Sequence, residues 1–278
     1  MLKILVPTDY SPEAKNACLY AYHFALYTNS RLVLYHSIPA LVPSSEIPLE
    51  NYYLSNSEEE NLLKDGFQQL LKEHQLEISK VEVDYVVNIH NLVAESIHET
   101  AKEYDCDFIL MGTHGASGFK KVFLGSNTAR LIGMSTMPVL AIPAKYRFEP
   151  IYHLVYASDL ENLEEELAIL VPFTEVFHAA LEVVYFDYAG PNSEEKMLLA
   201  KEKIQEQKYP NIKLSIQKGN SLLSLSENLQ KHLNPGNTQM LIMYSGQHGW
   251  LDKLTLGSNS QKMVLEPILP ILVLHKRD

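Results

Sequence analysis

The stretch Met111-Gly112-Thr113-His114-Gly115-Ala116-Ser117-Gly118-Phe119-Lys120-Lys121-Val122-Phe123-Leu124-Gly125-Ser126-Asn127 sets four glycines in one loop. Without side chains, such a loop lets backbone N–H groups approach an anion closely, and positive φ costs little there. It therefore reads as a phosphate cradle. The residues before it, Asp107-Phe108-Ile109-Leu110-Met111, form a short apolar run of the kind found in a parallel strand buried on both faces. After it, Ser126 is placed to cap a helix running through Thr128, Ala129, Leu131 and Ile132, whose first amides would face the same anion.

Working outward, the same order of signals occurs twice. Lys3-Ile4-Leu5-Val6-Pro7-Thr8-Asp9-Tyr10-Ser11 is echoed by His153-Leu154-Val155-Tyr156-Ala157-Ser158-Asp159-Leu160. Leu124-Gly125-Ser126-Asn127 followed by Met137-Pro138-Val139-Leu140-Ala141-Ile142 is echoed by Leu256-Gly257-Ser258-Asn259 followed by Leu269-Pro270-Ile271-Leu272-Val273-Leu274. Two echoes in register across about 130 residues point to duplication of one domain. The expected domains are 1–147 and 148–278, joined by the proline-flanked charged stretch Pro143–Pro150 acting as a linker.

Within the first half, strands are expected at Lys3–Val6, Arg31–His36, Val81–Val87, Asp107–Met111 and Val139–Ile142. Helices are expected at Pro12–Tyr27, Glu58–His74, Asn91–Tyr104 and Ser126–Met134. The second half repeats the alternation with strands near His153–Tyr156, Leu181–Phe186, Ile212–Ile216, Met240–Met243 and Ile271–Leu274. Its helices would cover Leu160–His178, Ser193–Lys208, Ser221–His232 and Ser258–Leu265. Strands alternating with helices of this length predict an α/β fold of two tandem domains, each a parallel sheet covered by helices on both faces. Pro39–Asn56, with its prolines and serines, reads as a surface loop.

Composition excludes several classes. The 278 residues are 46% hydrophobic and 21% charged, with no apolar run near the roughly 20 residues of a membrane helix. The start Met1-Leu2-Lys3-Ile4-Leu5-Val6-Pro7 enters a strand directly, without a signal-peptide pattern, so a cytoplasmic, non-membrane protein is expected. Cys18 and Cys106, the two cysteines, are too few for a disulfide framework and lack zinc-site spacing. The eleven histidines, His36 among them, show no i, i+4 pair with a third ligand, so no metal site is expected. A net charge of −11 opposes nucleic-acid binding, which needs clustered cations.

In an open parallel sheet the crevice lies beyond the carboxyl ends of the strands, where strand order reverses. The glycine loop follows the fourth strand of its half, and Pro7-Thr8-Asp9, following the first, is its companion. Asp9 suits ribose hydroxyls, with Thr8 and nearby backbone addressing a base; equally, Asp9 satisfies amides at the helix entry ahead of Ser11 and Pro12. Lys120 and Lys121 are in reach of phosphates or simply solvated, and His114 reads as a loop-ordering hydrogen-bond partner. No Gly-Lys-Ser/Thr ending is present, so this is not a Walker loop and its magnesium-binding hydroxyl has no counterpart. No paired nucleophile, base and metal set stands out for catalysis either, which leaves at most slow turnover.

The spacing Gly112-x2-Gly115-x9-Gly125-Ser126, with the strand-end Asp9 and the Met-Pro-Val-Leu closing strand, resembles the nucleotide-binding signature of the universal stress protein family. The likeness covers the first half closely and the second more loosely, as in a tandem member. It implies a five-stranded parallel, Rossmann-like fold of the adenine nucleotide alpha hydrolase type, a role in stress response, and binding of ATP, or of ADP or AMP, with or without magnesium. It further implies that Gly112 and Gly115 approach ribose and phosphates, and that Gly125, Ser126 and Asn127 hold the phosphate tail. Asp9, beside Pro7 and Thr8, would hold ribose or adenine, and backbone near Ser37 and Met111 would line the adenine pocket. Members associate in pairs, which implies pairing of the two domains within the chain and leaves a homodimer open.

The second half departs from the signature. Gly246-Gln247-His248-Gly249 is followed by seven residues before Gly257-Ser258, two fewer than in the first half. Ser158-Asp159-Leu160-Glu161 and Ser258-Asn259-Ser260-Gln261 read as capping boxes that would satisfy helix amides internally. The second half is thus expected to be degenerate, a built-in partner for a nucleotide-binding first half. Alternatives are a structural, partner-binding protein with an empty crevice, and a slow nucleotide hydrolase.

Overall fold

The computed structural model describes residues 1–39, 55–113, 124–190, 193–223, 225–245 and 268–275. The chain divides into two compact units, Met1–Phe148 and Glu149–Asp278, and each is described by itself.

The first unit runs β1 (Lys3–Pro7), α1 (Pro12–Thr28), β2 (Arg31–Ile38), α2 (Ser55–Glu73), β3 (Val83–Ile89), α3 (Val93–Glu103), β4 (Phe108–Gly112), α4 (Ser126–Met134) and β5 (Val139–Ile142). Its strands lie in the order β3-β2-β1-β4-β5 and pair in parallel. The central strands are the apolar runs: Ile4, Leu5 and Val6 are fully buried, and every residue of β4 is buried. A strand covered by helices on both faces gains burial from each side chain, which is why these runs do not alternate. Strand order reverses between β1 and β4, so their carboxyl ends form the open crevice.

Local sequence sets the helix ends. Ser11 caps α1, its Oγ accepting from the Ala14 amide at 3.1 Å, and Pro12 takes the first helical position, where a missing N–H costs nothing. The helix stops at Asn29, in the left-handed region at φ 51°, whose N–H returns to the Ala25 carbonyl. At α4 the expected cap is corrected. Gly125 is the N-cap and Ser126 the first helical residue, with no side chain capping the end. The Gly125 N–H donates to the Thr113 carbonyl at 2.6 Å while the Gly125 carbonyl accepts from Ala129 at 2.8 Å, which starts the helix one residue early.

The stretch expected to link the halves is largely folded onto the first unit. Asn16 of α1 donates from Nδ2 to the carbonyls of Pro143 at 3.1 Å and Tyr146 at 3.0 Å, and its Oδ1 accepts from Arg147. Phe148 sits among Tyr20 (ring centroids 5.3 Å apart), Tyr27 (5.7 Å) and His23 (6.1 Å). Prolines and charges made the stretch read as a linker, whereas Tyr146 and Phe148 give it an apolar side that α1 covers.

The second unit runs β6 (His153–Ala157), α5 (Leu163–Phe177), β7 (Ala180–Asp187), α6 (Ser193–Gln205), β8 (Ile212–Lys218), α7 (Leu225–His232), β9 (Met240–Ser245) and β10 (Ile271–His275). Its strands lie in the order β10-β9-β6-β7-β8, again in parallel pairs. The expected capping box at Ser158 is corrected too, because α5 begins at Leu163 with Asn162 at the N-cap and no side-chain cap. The Ser258 box, the expected helix Ser258–Leu265 and the second glycine loop from Gly246 lie outside the described residues.

What stands at Ser158 is the first unit's turn over again. Ser158 Oγ accepts from the Leu160 amide at 3.0 Å and Asp159 Oδ1 from Glu161 at 3.1 Å; Thr8 Oγ1 accepts from Tyr10 at 3.1 Å and Asp9 Oδ1 from Ser11 at 3.1 Å. Leu160 and Tyr10 share a left-handed conformation, φ 64° and 61°. These side-chain-to-backbone bonds hold a strained turn at the same place in both units.

Candidate functional site

Beyond the carboxyl ends of β1 and β4 lies a cavity of about 310 Å³. Of the ten residues the sequence points to, it is lined by Pro7, Thr8, Asp9, Ser37, Met111, Gly112, Gly125, Ser126 and Asn127. Gly115 lies outside the described residues, as do His114, Lys120 and Lys121. Six further residues line the cavity: Ala14, Tyr35, His36, Val93, Ile97 and Thr128. Val93 and Ile97 are an i, i+4 apolar pair at the start of α3, a signal that reads as ordinary core packing until the helix is set beside the crevice.

Each wall is fixed by a named bond. The Thr8 amide donates to the Tyr35 carbonyl at 2.8 Å, continuing the β1–β2 ladder one residue past the strand. The Thr8 carbonyl lies 2.7 Å from His36 Nδ1, and the His36 ring packs on Tyr10 with centroids 4.6 Å apart. Tyr35 Oη and Ser96 Oγ, 2.6 Å apart, tie β2 to α3. Thr128 Oγ1 donates to the Gly112 carbonyl at 3.0 Å, holding α4 over the end of β4. Asp9 Oδ1 accepts from the Ser11 amide at 3.1 Å, which is the helix-entry role.

Burial pushes the thiols of Cys18 and Cys106 up to about 12, so neither is a thiolate at neutral pH. Among the described residues no group of three or more His, Cys, Asp or Glu side chains is arranged to hold a metal ion. No lysine or arginine occurs among the described residues lining the cavity. Outside its lining, Arg130 of α4 forms an ion pair with Glu95 of α3. Burial would raise the Glu95 carboxyl, but hydrogen bonds from its own backbone amide and from Arg130 outweigh it and hold the group below the usual carboxylate range. Among the described residues no helix is long and apolar enough to cross a membrane.

The second unit differs at the matching position. Ile4 lies opposite Phe108 and Leu154 opposite Met240, so Gly112 and Tyr244, each four residues further along, correspond. Tyr244 is buried, its hydroxyl 3.4 Å from the Glu166 carbonyl and its ring edge-on to Tyr156 at 5.8 Å. Tyr156 in turn donates to the buried Glu166 carboxylate. A buried phenol, packed against α5 and Tyr156, thus stands in the second unit where the first has glycine.

Comparison with known proteins agrees with this architecture. The family model described as "Universal stress protein family" matches residues 1–143. Universal stress protein MJ0577 of Methanocaldococcus jannaschii is 29% identical over 154 residues, covering 51% of this chain and 95% of its own length. Universal stress protein MJ0531 of the same organism is 30% identical over 145 residues, 50% of this chain and 81% of its own. A crystal structure of a universal stress protein from Archaeoglobus fulgidus covers 98% of both chains with a TM-score of 0.66 at 18% identity, a likeness of fold. The chain belongs to the universal stress protein family.

Proposed function

We propose that this protein binds an adenine nucleotide, ATP in the first instance, in the crevice of its first unit, and that it serves the stress response in the cytoplasm as a binding module. One observation carries the reading. Residues far apart in sequence, selected by a glycine spacing and a strand-end aspartate, line a single cavity at the switch point of a parallel sheet. The α4 end supports it further: no side chain caps that helix, its first residues Ser126 and Asn127 line the cavity, and a helix N-terminus attracts phosphate. The residues present would hold the base between β1 and β2 and the phosphates over Gly112 and the start of α4.

The second unit serves in this reading as the domain partner of the first and binds no nucleotide; its cradle is two residues shorter, and buried Tyr244 stands where the first unit has Gly112. Domains 1–147 and 148–278 would then be one binding and one degenerate copy, and no step of catalysis is assigned to either.

The test is to denature freshly purified protein and identify released nucleotide by chromatography and mass spectrometry. About one ATP per chain supports a single competent site; two would overturn the reading of the second unit. If none is released, calorimetric titration with ATP separates weak exchangeable binding from an empty crevice, and absence of heat at millimolar ATP overturns the proposal. Gly115→Val should weaken ATP binding at least tenfold, since a branched side chain blocks close backbone approach.

A further inference from the structure

A nucleotide triphosphate brings several negative charges to a cavity whose described lining includes the carboxylate of Asp9 and no lysine or arginine. Arg130 is a described cation on the helix whose first residues line the cavity. It follows Ser126 by four residues and Asn127 by three, so the three share a face of α4. Helical side chains lean toward the helix N-terminus, which carries the Arg130 guanidinium back over the turn whose residues line the cavity. The side chain is 57% exposed and thus able to move.

Its partner holds it to one side. Glu95 stands in the first turn of α3, two residues from each of Val93 and Ile97 and so on a different face from the one that lines the cavity. One of its carboxylate oxygens pairs with Arg130; the other, Oε2, is buried without a hydrogen-bond partner among the described residues. A pair made through one carboxylate oxygen binds its cation less firmly than a bidentate pair would.

We propose that Glu95 and Arg130 form a phosphate-responsive clasp: Arg130 pairs with Glu95 across α3 and α4 when the cavity is empty and transfers to the phosphates of a bound nucleotide. This rests on the nucleotide reading above. Glu95 is then a competitor of the ligand, and the affinity gained from the phosphates is reduced, once, by the cost of breaking the pair. The clasp makes ligand binding and the ion pair between α3 and α4 mutually exclusive, so occupancy of the cavity changes how α3 and α4 are joined.

The experiment is calorimetric titration of adenosine and of ATP into the full chain and into Arg130→Gln, Glu95→Gln and the double variant, each checked for folding by thermal melt. Arg130→Gln should weaken ATP about tenfold and leave adenosine unchanged. Glu95→Gln should tighten ATP about threefold or more, and the double variant should match Arg130→Gln alone. A pair acting only as a strut would make both single variants weaker, which overturns the clasp. A general effect of removing negative charge would make Glu95→Gln tighten ATP even without Arg130, which also overturns it. Inorganic tripolyphosphate separates the two levels of the argument. If the protein takes tripolyphosphate with the same opposite responses but no adenine compound, the clasp stands and the nucleotide reading falls; if it takes neither, both fall.

Discussion

His98 shows how a single buried side chain ties the stability of the first unit to pH. It lies in α3, 8% exposed, with Nδ1 3.4 Å from Ser135 Oγ. Burial first and Lys102 second lower its pKa from the ordinary 6.5, with Glu99 opposing, and burial with His74 lowers His23 in the same direction. Both are therefore neutral in the folded state at a pH where the unfolded chain is already protonated. Their contribution is whole above about pH 6.5 and is lost as pH falls from there toward the lowered folded value. The thermal midpoint should hold steady above neutrality and drop on acidification below about pH 6.5, and His98→Gln should flatten that slope. An unchanged slope would place the acid sensitivity elsewhere. At the same scale Thr8 and Ser158 were both legible as strand-end hydroxyls, yet the sequence could not distinguish a helix cap from a turn. The difference lies in φ at Tyr10 and Leu160, a property of the neighbour rather than of the hydroxyl.

Among the elements, α5 carries a visible fault. Pro172 lies inside the helix, where it removes an N–H and crowds the carbonyl four residues back, and its own side chain is exposed. Pro172→Ala should stabilise the second unit by about 1–3 kcal/mol, measured by denaturant titration. The stretch 143–148 offers the opposite case. Asn16 is buried and holds two of its carbonyls. Asn16→Ala should cost about 2 kcal/mol and speed tryptic cleavage at Lys145 and Arg147, whereas cleavage at the same rate would mean that the aromatic contacts alone retain the segment. Strand and helix positions were readable from apolar runs and caps, and most ends fall within two or three residues of expectation. The packing of Phe148 was not, because an aromatic beside prolines and charges acquires meaning only when Tyr20 and Tyr27 are found opposite it.

For the molecule as a whole, each unit carries its own core, Leu5 and Ile109 in the first and Leu154 and Ile242 in the second, all fully buried. Leu5→Ala should cost about 2–5 kcal/mol, and hydrogen exchange should accelerate chiefly within Met1–Phe148. Equal acceleration throughout would mean that the chain unfolds as one cooperative body.

What the sequence determined by itself is the duplicated α/β plan, because parallel strands buried on both faces must be apolar throughout, and the family, because a glycine loop and strand-end aspartate survive as short local patterns. Tertiary structure alone decided the rest of the site. Val93, Ile97 and Tyr35 join it through the sheet order, the strand register gives Tyr244 the position that Gly112 holds in the first unit, and Arg130 meets Glu95 across two helices. The physical reason is that each of these depends on the direction a side chain takes once distant elements are packed. A sequence records which residue stands at a position, and only the packed sheet settles what stands across from it.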